Sequence, residues 1–317
     1  MDKRGASTVW PVVSRPAMGC RFEVYLSGTD REILVGAGEA ALDLVSEMDA
    51  QLSVYRPQSD ISRLNATPPH ASVTLEPALY ALLRRCDEWR IATQGAFDAG
   101  MGRLLRLWGF HDGEHRKPTD EQVRLVLLQC GAARLVWDDA VRSVTMPDPA
   151  IEVNLGAVGK GYALDMAAEA LRRTGVRSAA LHGGTSTIVA IGEQPGGGGW
   201  RFDLRDVDAP DRVLHTIGLI DQTVSTSADT EQRFVADGRR YGHIMDPRTG
   251  WPARGVRAVW VAGPCAAETD ALSTAFNVLG PDAARDYLMT RPDLTAVFLM
   301  DGSDGHSVVI GNGHRGT

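Results

Sequence analysis

The chain is 317 residues long, 44% hydrophobic and 23% charged, and its 33 basic against 40 acidic side chains leave a net charge of −7. That is a globular composition, long enough to bury a sizeable core. It argues against nucleic-acid binding, because the basic residues cluster no further than pairs such as Arg84-Arg85, Arg172-Arg173 and Arg239-Arg240.

Cys20, Cys86, Cys130 and Cys265 stand far apart with no C-x-x-C, so neither a zinc site nor a disulfide framework is indicated. No apolar run reaches the roughly 18 residues of a membrane span. The stretch Val9-Trp-Pro-Val-Val is too short for the apolar part of a signal peptide, and no lipobox is present. A cytoplasmic location is the simplest expectation. Residues 1–15 read as an N-terminal extension and 16–317 as one domain with two lobes.

In chain order, Phe22, Val24 and Leu26 alternate with polar partners as in a strand. Residues 35–52 place Ala41, Leu44, Val45, Met48 and Leu52 on one helical face. A polar segment follows, and then a helix over 77–93 with Leu79, Leu82, Leu83, Cys86 and Trp89 inward. A third helix is expected over 118–130, where Asp120 and Glu121 suit the positive N-terminal end. Residues 134–137 and 143–146 read as a hairpin about Asp138-Asp139. Residues 160–173 read as a helix capped by Gly175. Residues 179–191 are strand material interrupted by Gly183-Gly184, and 196–199 form a flexible loop. Strands follow at 200–205, 213–219 and 256–262. A helix at 268–279 ends at Gly280, and Pro281 opens another through Leu288. Strands at 295–300 and 307–310 close the chain. Helices mixed with runs of strands favour α+β, with mixed, largely antiparallel sheets flanked by helices.

Three stretches carry chemistry. Arg240-Tyr-Gly-His243-Ile244-Met-Asp246-Pro-Arg248-Thr-Gly250 packs a histidine, a carboxylate and arginines around a turn. Proline restricts the residue before it, which puts His243 and Asp246 at a strand end and in the following loop. A histidine ordinarily titrates near about pH 6.5 and can move a proton at neutral pH. Equally, the pair can simply brace the turn.

Asn154-Leu-Gly-Ala157-Val-Gly-Lys160-Gly161 leaves a strand and opens a helix. Backbone N–H groups at a helix start attract anions, and Lys160 adds a full charge. The stretch fits neither G-x-x-x-x-G-K-[ST] nor G-x-G-x-x-G, and close helix–strand packing is the other reading. Asp270 and Thr274 lie four apart on a helix, so both project from one face. Such a pair can hold a hard cation through oxygen or serve as a surface hydrogen bond.

These segments, with five others, resemble the FAD:protein FMN transferases, the ApbE-type flavin transferases. The first matches that family's RYxHIxDPRTGxP, and the second its DLGGIAKGYAVD through Gly156, Lys160, Gly161, Tyr162 and Asp165, with Asn154 in place of aspartate. Ala271-Leu-Ser273-Thr274 and the preceding Asp270 match aDALSTA. Met18-Gly19-Cys20 stands where Met-Gly-Thr is usual. Residues 53–65, with Tyr55, Ser59 and Asn65, match S-x-Y-x-x-x-S-x-I-x-x-L-N. Gly95-Ala96-Phe97-Asp98, continued by Leu104, Leu107, Trp108, Gly109 and Phe110, matches GAFDxTxGPLxxLWGF. Gly183-Gly184 matches a glycine pair, and Ser225 to Asp229 matches TSGD with Ala228 for glycine.

The resemblance runs from about residue 18 to 279 and implies a fold, a substrate and a reaction. The family cleaves the pyrophosphate of FAD, transfers FMN to a threonine of an acceptor protein bearing a short flavinylation motif, and releases AMP. By that likeness Met18, Tyr55, Ala96, Phe97, Asp98, Lys160, Gly161, Asp165, Gly183, Gly184, His243, Ile244 and Arg248 bind FAD. Magnesium is held by Asp270, Thr274, the Ala157 carbonyl and a main-chain oxygen near Ser273. His243 is the general base, Lys160 stabilises charge, and Asp246 orients His243 or positions the phosphate. Arg248 pins the turn or binds an anion. Two rivals remain: a magnesium-dependent FAD pyrophosphatase, and a flavin-binding protein without chemistry, favoured by the departures at Cys20, Asn154 and Ala228.

Overall fold

The computed structural model describes residues 8–228, 233–302 and 306–311. Asp229, part of one quoted motif, and most of the first eight residues, which carried the leader reading, lie outside them. Its frame is an eight-stranded antiparallel sheet. In spatial order the strands are Val12–Ala17, Cys20–Leu26, Ala179–Gly183, Thr187–Ile191, Thr223–Ala228, Val256–Gly263, Thr295–Met300 and Ser307–Gly311. The seven helices of the described residues are α1 (Arg31–Leu52), α2 (Asp60–Asn65), α3 (Pro77–Ala92), α4 (Gly102–Leu107), α5 (Asp120–Leu127), α6 (Gly159–Arg173) and α7 (Ala266–Met289). The mixed α+β architecture is the one expected.

Strand alternation divides the core. Val259, Val261, Ala296 and Phe298 face α7, where they bury with Leu272 and Phe276. Their neighbours Ala258, Trp260, Val297 and Leu299 face a separate ribbon, Trp200–Arg205 paired with Val213–Leu219. Burying one Phe276- or Phe298-sized side chain stabilises by roughly 1.5–3 kcal/mol. Helices α1 and α6 cover the other end of the sheet through Val24, Leu26, Leu42, Val45, Leu164 and Leu171. Helices α2 to α5 accompany a small sheet of Ser72–Thr74, Ser143–Thr145 and Val136–Asp138. No helix of the described residues is long and apolar enough to cross a membrane.

Most expected elements are present with shifted ends. Helix α1 begins at Arg31 because the Asp30 side chain accepts from the N–H groups of Glu32 and Ile33. Helix α5 is shorter than expected, opened by a reciprocal Thr119–Gln122 capping box. Gly175 ends α6 at φ +87°. Helix α7 breaks at Gly280 (φ 75°, ψ 175°) before Pro281, as the two expected helices require. Two boundaries need correction. Val12–Ala17 pairs along its length with Cys20–Leu26, so residues 12–15 belong to the sheet and not to an extension. Thr223–Ala228, read only as a motif, is a central strand of the sheet.

Helices α6 and α7 cross closely at Gly161, where an added Cβ would lie 2.2 Å from the Ala266 carbonyl oxygen. Gly161→Ala must push the helices apart, and overpacking of this kind costs about 1–3 kcal/mol. A lower denaturant midpoint is expected, and an unchanged one would show that the crossing yields without cost.

Candidate functional site

The α6–α7 crossing assembles the first group. The Gly161 N–H, at the start of α6, donates to Asp270 Oδ2 at 3.1 Å, and the Thr187 hydroxyl donates to Oδ1 at 3.4 Å. Asp270 is only 4% exposed. Burial pushes its carboxyl above the ordinary aspartate range, opposed by the charge of Lys160, the Gly161 N–H and the Thr187 hydroxyl. One turn on, Ser273 donates to the Asp270 carbonyl oxygen at 2.9 Å and Thr274 reaches the same oxygen at 3.4 Å. The Ser227 hydroxyl bridges Ser273 at 2.8 Å and Thr274 at 3.0 Å. Asp270 and Thr274 thus share a buried face of α7 and are not a surface pair.

Asp165 holds this crossing in place. Its carboxylate accepts from the N–H groups of Ala266 and Ala267, both at 2.9 Å, and from the Cys265 thiol at 3.3 Å. A carboxylate on the first N–H groups of a helix is a cap, favoured by the positive helix end. Its own pKa is raised, chiefly by burial. Asp165, expected to bind FAD, therefore spends both oxygens on α7.

The second group lies at the sheet edge. Met18 (φ 48°) and Gly19 (φ 72°) form the two-residue loop between Val12–Ala17 and Cys20–Leu26. Positive φ at both positions suits the right-handed twist of the strands. The Met18 N–H is anchored on Asp49 Oδ1 at 3.1 Å. A cleft of about 720 Å³ opens beside the loop, lined by Ala17, Met18, Gly19, Cys20, Arg21 and Asp49. The glycine pair borders it. A Cβ at Gly183 would press the Phe22 ring at 2.8 Å, and one at Gly184 would meet the Cys20 Cβ at 3.1 Å. Met18 and Ala157 both pack against the core cluster that includes residues of α7.

The third group surrounds His243. The imidazole follows the strand Arg239–Gly242, half-buried, with its ring edge-on to Phe110 at 6.4 Å. Asp246 binds Arg248 through both oxygens, to Nε at 2.8 Å and Nη2 at 2.9 Å, and also accepts the Arg248 N–H. Of the two roles open to Arg248, the geometry provides the pinned turn. Trp108 donates its indole N–H to the Gly250 carbonyl at 3.0 Å and packs on Tyr241 and Trp251. The Leu-Trp-Gly-Phe stretch is therefore the foundation of the His243 loop. Gly95 lies against the Arg248 side chain, which brings the Ala96-Phe97-Asp98 segment alongside.

Ala96 and Phe97 are buried, Phe97 edge-on to Trp89. Asp98 Oδ1 accepts from Gly100 N–H at 2.7 Å and Ala132 N–H at 2.9 Å, and burial raises its pKa. Ile244 is buried beneath the turn. Tyr55 is 66% exposed and stacks on His111, with ring centroids 4.7 Å apart. Its loop is braced by Ser59, which caps α2, and by Asn65, which exchanges two hydrogen bonds with Val153. Asn154, the departure from aspartate, still accepts the Gly156 N–H at 2.8 Å. Thr187 and Ser227 were not among the expected site residues. For Ser227 the signals were the TSGD-like segment and the run Thr223-Val-Ser-Thr-Ser-Ala228, with hydroxyls at positions 223, 225 and 227.

The sequence model of the ApbE family matches residues 18–298. The chain is 29% identical over 295 residues to the FAD:protein FMN transferase of Treponema pallidum, covering 88% of this chain and 81% of the relative. To the FAD:protein FMN transferase of Klebsiella pneumoniae it is 28% identical over 265 residues, covering 82% and 81%. Among solved structures, the ApbE protein of Thermotoga maritima superimposes with a TM-score of 0.87 at 29% identity, covering 95% of this chain and 97% of that one. The apo flavinyl transferase ApbE of Pseudomonas stutzeri gives 0.81 at 30% identity, covering 95% and 94%.

Proposed function

The chain belongs to the ApbE family, and on that premise we propose that it is an FAD:protein FMN transferase that moves FMN from FAD to a threonine of an acceptor protein. The observation that carries the reading is the buried Asp270 carboxylate, set against the N-terminus of α6 beside Lys160 and a row of hydroxyls. A buried acid of this kind is costly unless something positive meets it.

Magnesium fits the donors present. Among the described residues no three His, Cys, Asp or Glu side chains gather into a metal-binding group. The ion would be held by the Asp270 carboxylate, the Thr274 hydroxyl, the Ala157 carbonyl and a main-chain oxygen near Ser273. Magnesium commonly takes one or two carboxylates, with phosphate oxygens and water as its other ligands. When bound it neutralises charge on phosphate oxygens.

The remaining chemistry belongs to the chain itself. The acceptor threonine oxygen bonds to the phosphorus of the FMN half while the bond from that phosphorus to the bridging oxygen breaks, and AMP departs with that oxygen. His243 takes the threonine proton. Lys160 and the α6 N-terminus stabilise the anionic phosphates. The Asp246–Arg248 clamp holds the loop that carries His243. The Met18 cleft, Gly183-Gly184, Tyr55 and the 96–98 segment bind FAD. Positioning and electrostatics supply most of the acceleration.

Mass spectrometry of a candidate acceptor after incubation with the protein, FAD and magnesium tests the reading. Addition of one FMN to a threonine is the expected result. Rapid release of FMN and AMP without acceptor, with no adduct when it is present, would make the protein a pyrophosphatase. Tight FAD binding without turnover would make it a carrier.

A further inference from the structure

The strand Thr223–Ala228 turns every second residue toward α7, and those residues carry hydroxyls. Thr223 and Ser225 meet the Thr269 hydroxyl at 3.0 and 2.8 Å, and Ser227 meets Ser273 and Thr274 at 2.8 and 3.0 Å. The first three are structural, since Thr223, Ser225 and Thr269 are buried and satisfy one another. Ser227 differs because its partner Thr274 is a proposed cation ligand.

With the shorter of the two contacts to the Asp270 carbonyl, that of Ser273, taken as the donated one, a proton count orders the remaining bonds. Each hydroxyl has one proton to give and can accept through its lone pairs. Ser273 gives its proton to the Asp270 carbonyl oxygen at 2.9 Å. Its 2.8 Å contact with Ser227 is then a bond donated by Ser227. With the Ser227 proton so used, the 3.0 Å contact with Thr274 is donated by Thr274, in preference to its longer 3.4 Å contact with the Asp270 carbonyl. Protons run from Thr274 to Ser227 to Ser273 to the Asp270 carbonyl. The Thr274 proton is thereby drawn toward the strand, and its oxygen lone pairs are left for a cation.

We propose that Ser227 is a positioning residue that fixes the hydroxyl of Thr274 and so presents its oxygen to the magnesium ion. This rests on the reading of Thr274 as a ligand. Without Ser227, Thr274 has among the described residues only its 3.4 Å contact with the Asp270 carbonyl to take its proton, so the hydroxyl can turn its proton toward the ion.

Calorimetric titration of magnesium into the FAD-saturated protein, without acceptor, tests the proposal by binding alone. Ser227→Ala is expected to weaken magnesium binding about tenfold, equivalent to about 1.4 kcal/mol. Affinity for FAD without metal should stay within about twofold, and Ser227→Thr, which keeps the hydroxyl, should bind magnesium as the parent does. Should Ser227→Ala fold poorly, Ser227→Cys keeps the shape with a weak acceptor and should give a smaller loss of the same kind. The double variant Ser227→Ala/Thr274→Ala should bind magnesium no worse than Thr274→Ala, because one change acts through the other. Additive losses, or unchanged binding in Ser227→Ala, would overturn the proposal. Unchanged binding in Thr274→Ala would instead remove Thr274 as a ligand, and the inference would fall with that assignment.

Discussion

Asp270→Asn is expected to leave a folded protein that binds FAD and no longer transfers flavin. Asparagine has the shape of aspartate, so its oxygen can still accept from the Gly161 N–H and its amide can face the Thr187 hydroxyl. What is lost is the only charged ligand proposed for magnesium. A cation at a reacting phosphate supplies several kcal/mol of charge stabilisation, and each 1.36 kcal/mol is tenfold in rate, so a loss on the order of 10³ or more is expected. EDTA should reduce the parent to the same level. Added magnesium should restore the parent and leave the variant inactive. Full transfer in EDTA, or in Asp270→Asn, would remove the metal from the mechanism.

The same substitution has a stability signature of opposite sign. A carboxyl whose folded pKa is raised favours the folded state below its unfolded value and loses that contribution as pH rises through the folded value. Burial raises Asp270 in this sense, so at neutral pH without metal its charge weakens the fold. Asp270→Asn removes that charge. Its metal-free melting temperature at neutral pH should equal or exceed the parent's, and magnesium should raise only the parent's. A metal-free variant that melts well below the parent would mean that the carboxylate serves packing and not a cation.

Local signals made the helices legible. The period of apolar residues marked α1 and α3, Gly175 marked the end of α6, and Gly280-Pro281 marked the break in α7. The strand Thr223–Ala228 was not legible as core because its inward residues are hydroxyls. They are tolerated there only because Thr269, Ser273 and Thr274 of α7 satisfy them. The site divides in the same way. Lys160 and Gly161 at a helix start, and Asp270 with Thr274 on one face, follow from spacing. The engagement of Asp165 does not, because its backbone partners Ala266 and Ala267 lie 101 and 102 residues further along. Nor does the meeting of Trp108 with Gly250, 142 residues away. Motif resemblance marks such positions without saying whether they touch a ligand or hold the residue that does. Asp246 illustrates the point: its carboxylate was assigned to catalysis, and its resolved partner is Arg248.

His243→Ala should separate binding from chemistry. The loop that carries His243 is held by the Asp246–Arg248 clamp and by Trp108 on the Gly250 carbonyl, neither of which uses the imidazole. The variant should therefore keep its fold and its FAD affinity. The threonine hydroxyl would lose its proton acceptor, and general-base catalysis is worth about 10²–10⁴ in rate. Transfer to acceptor, followed by mass spectrometry under single-turnover conditions, should fall by that factor while calorimetric FAD binding is unchanged. Undiminished transfer would place the base elsewhere. An equal loss of FAD affinity would make His243 a binding group and not a base.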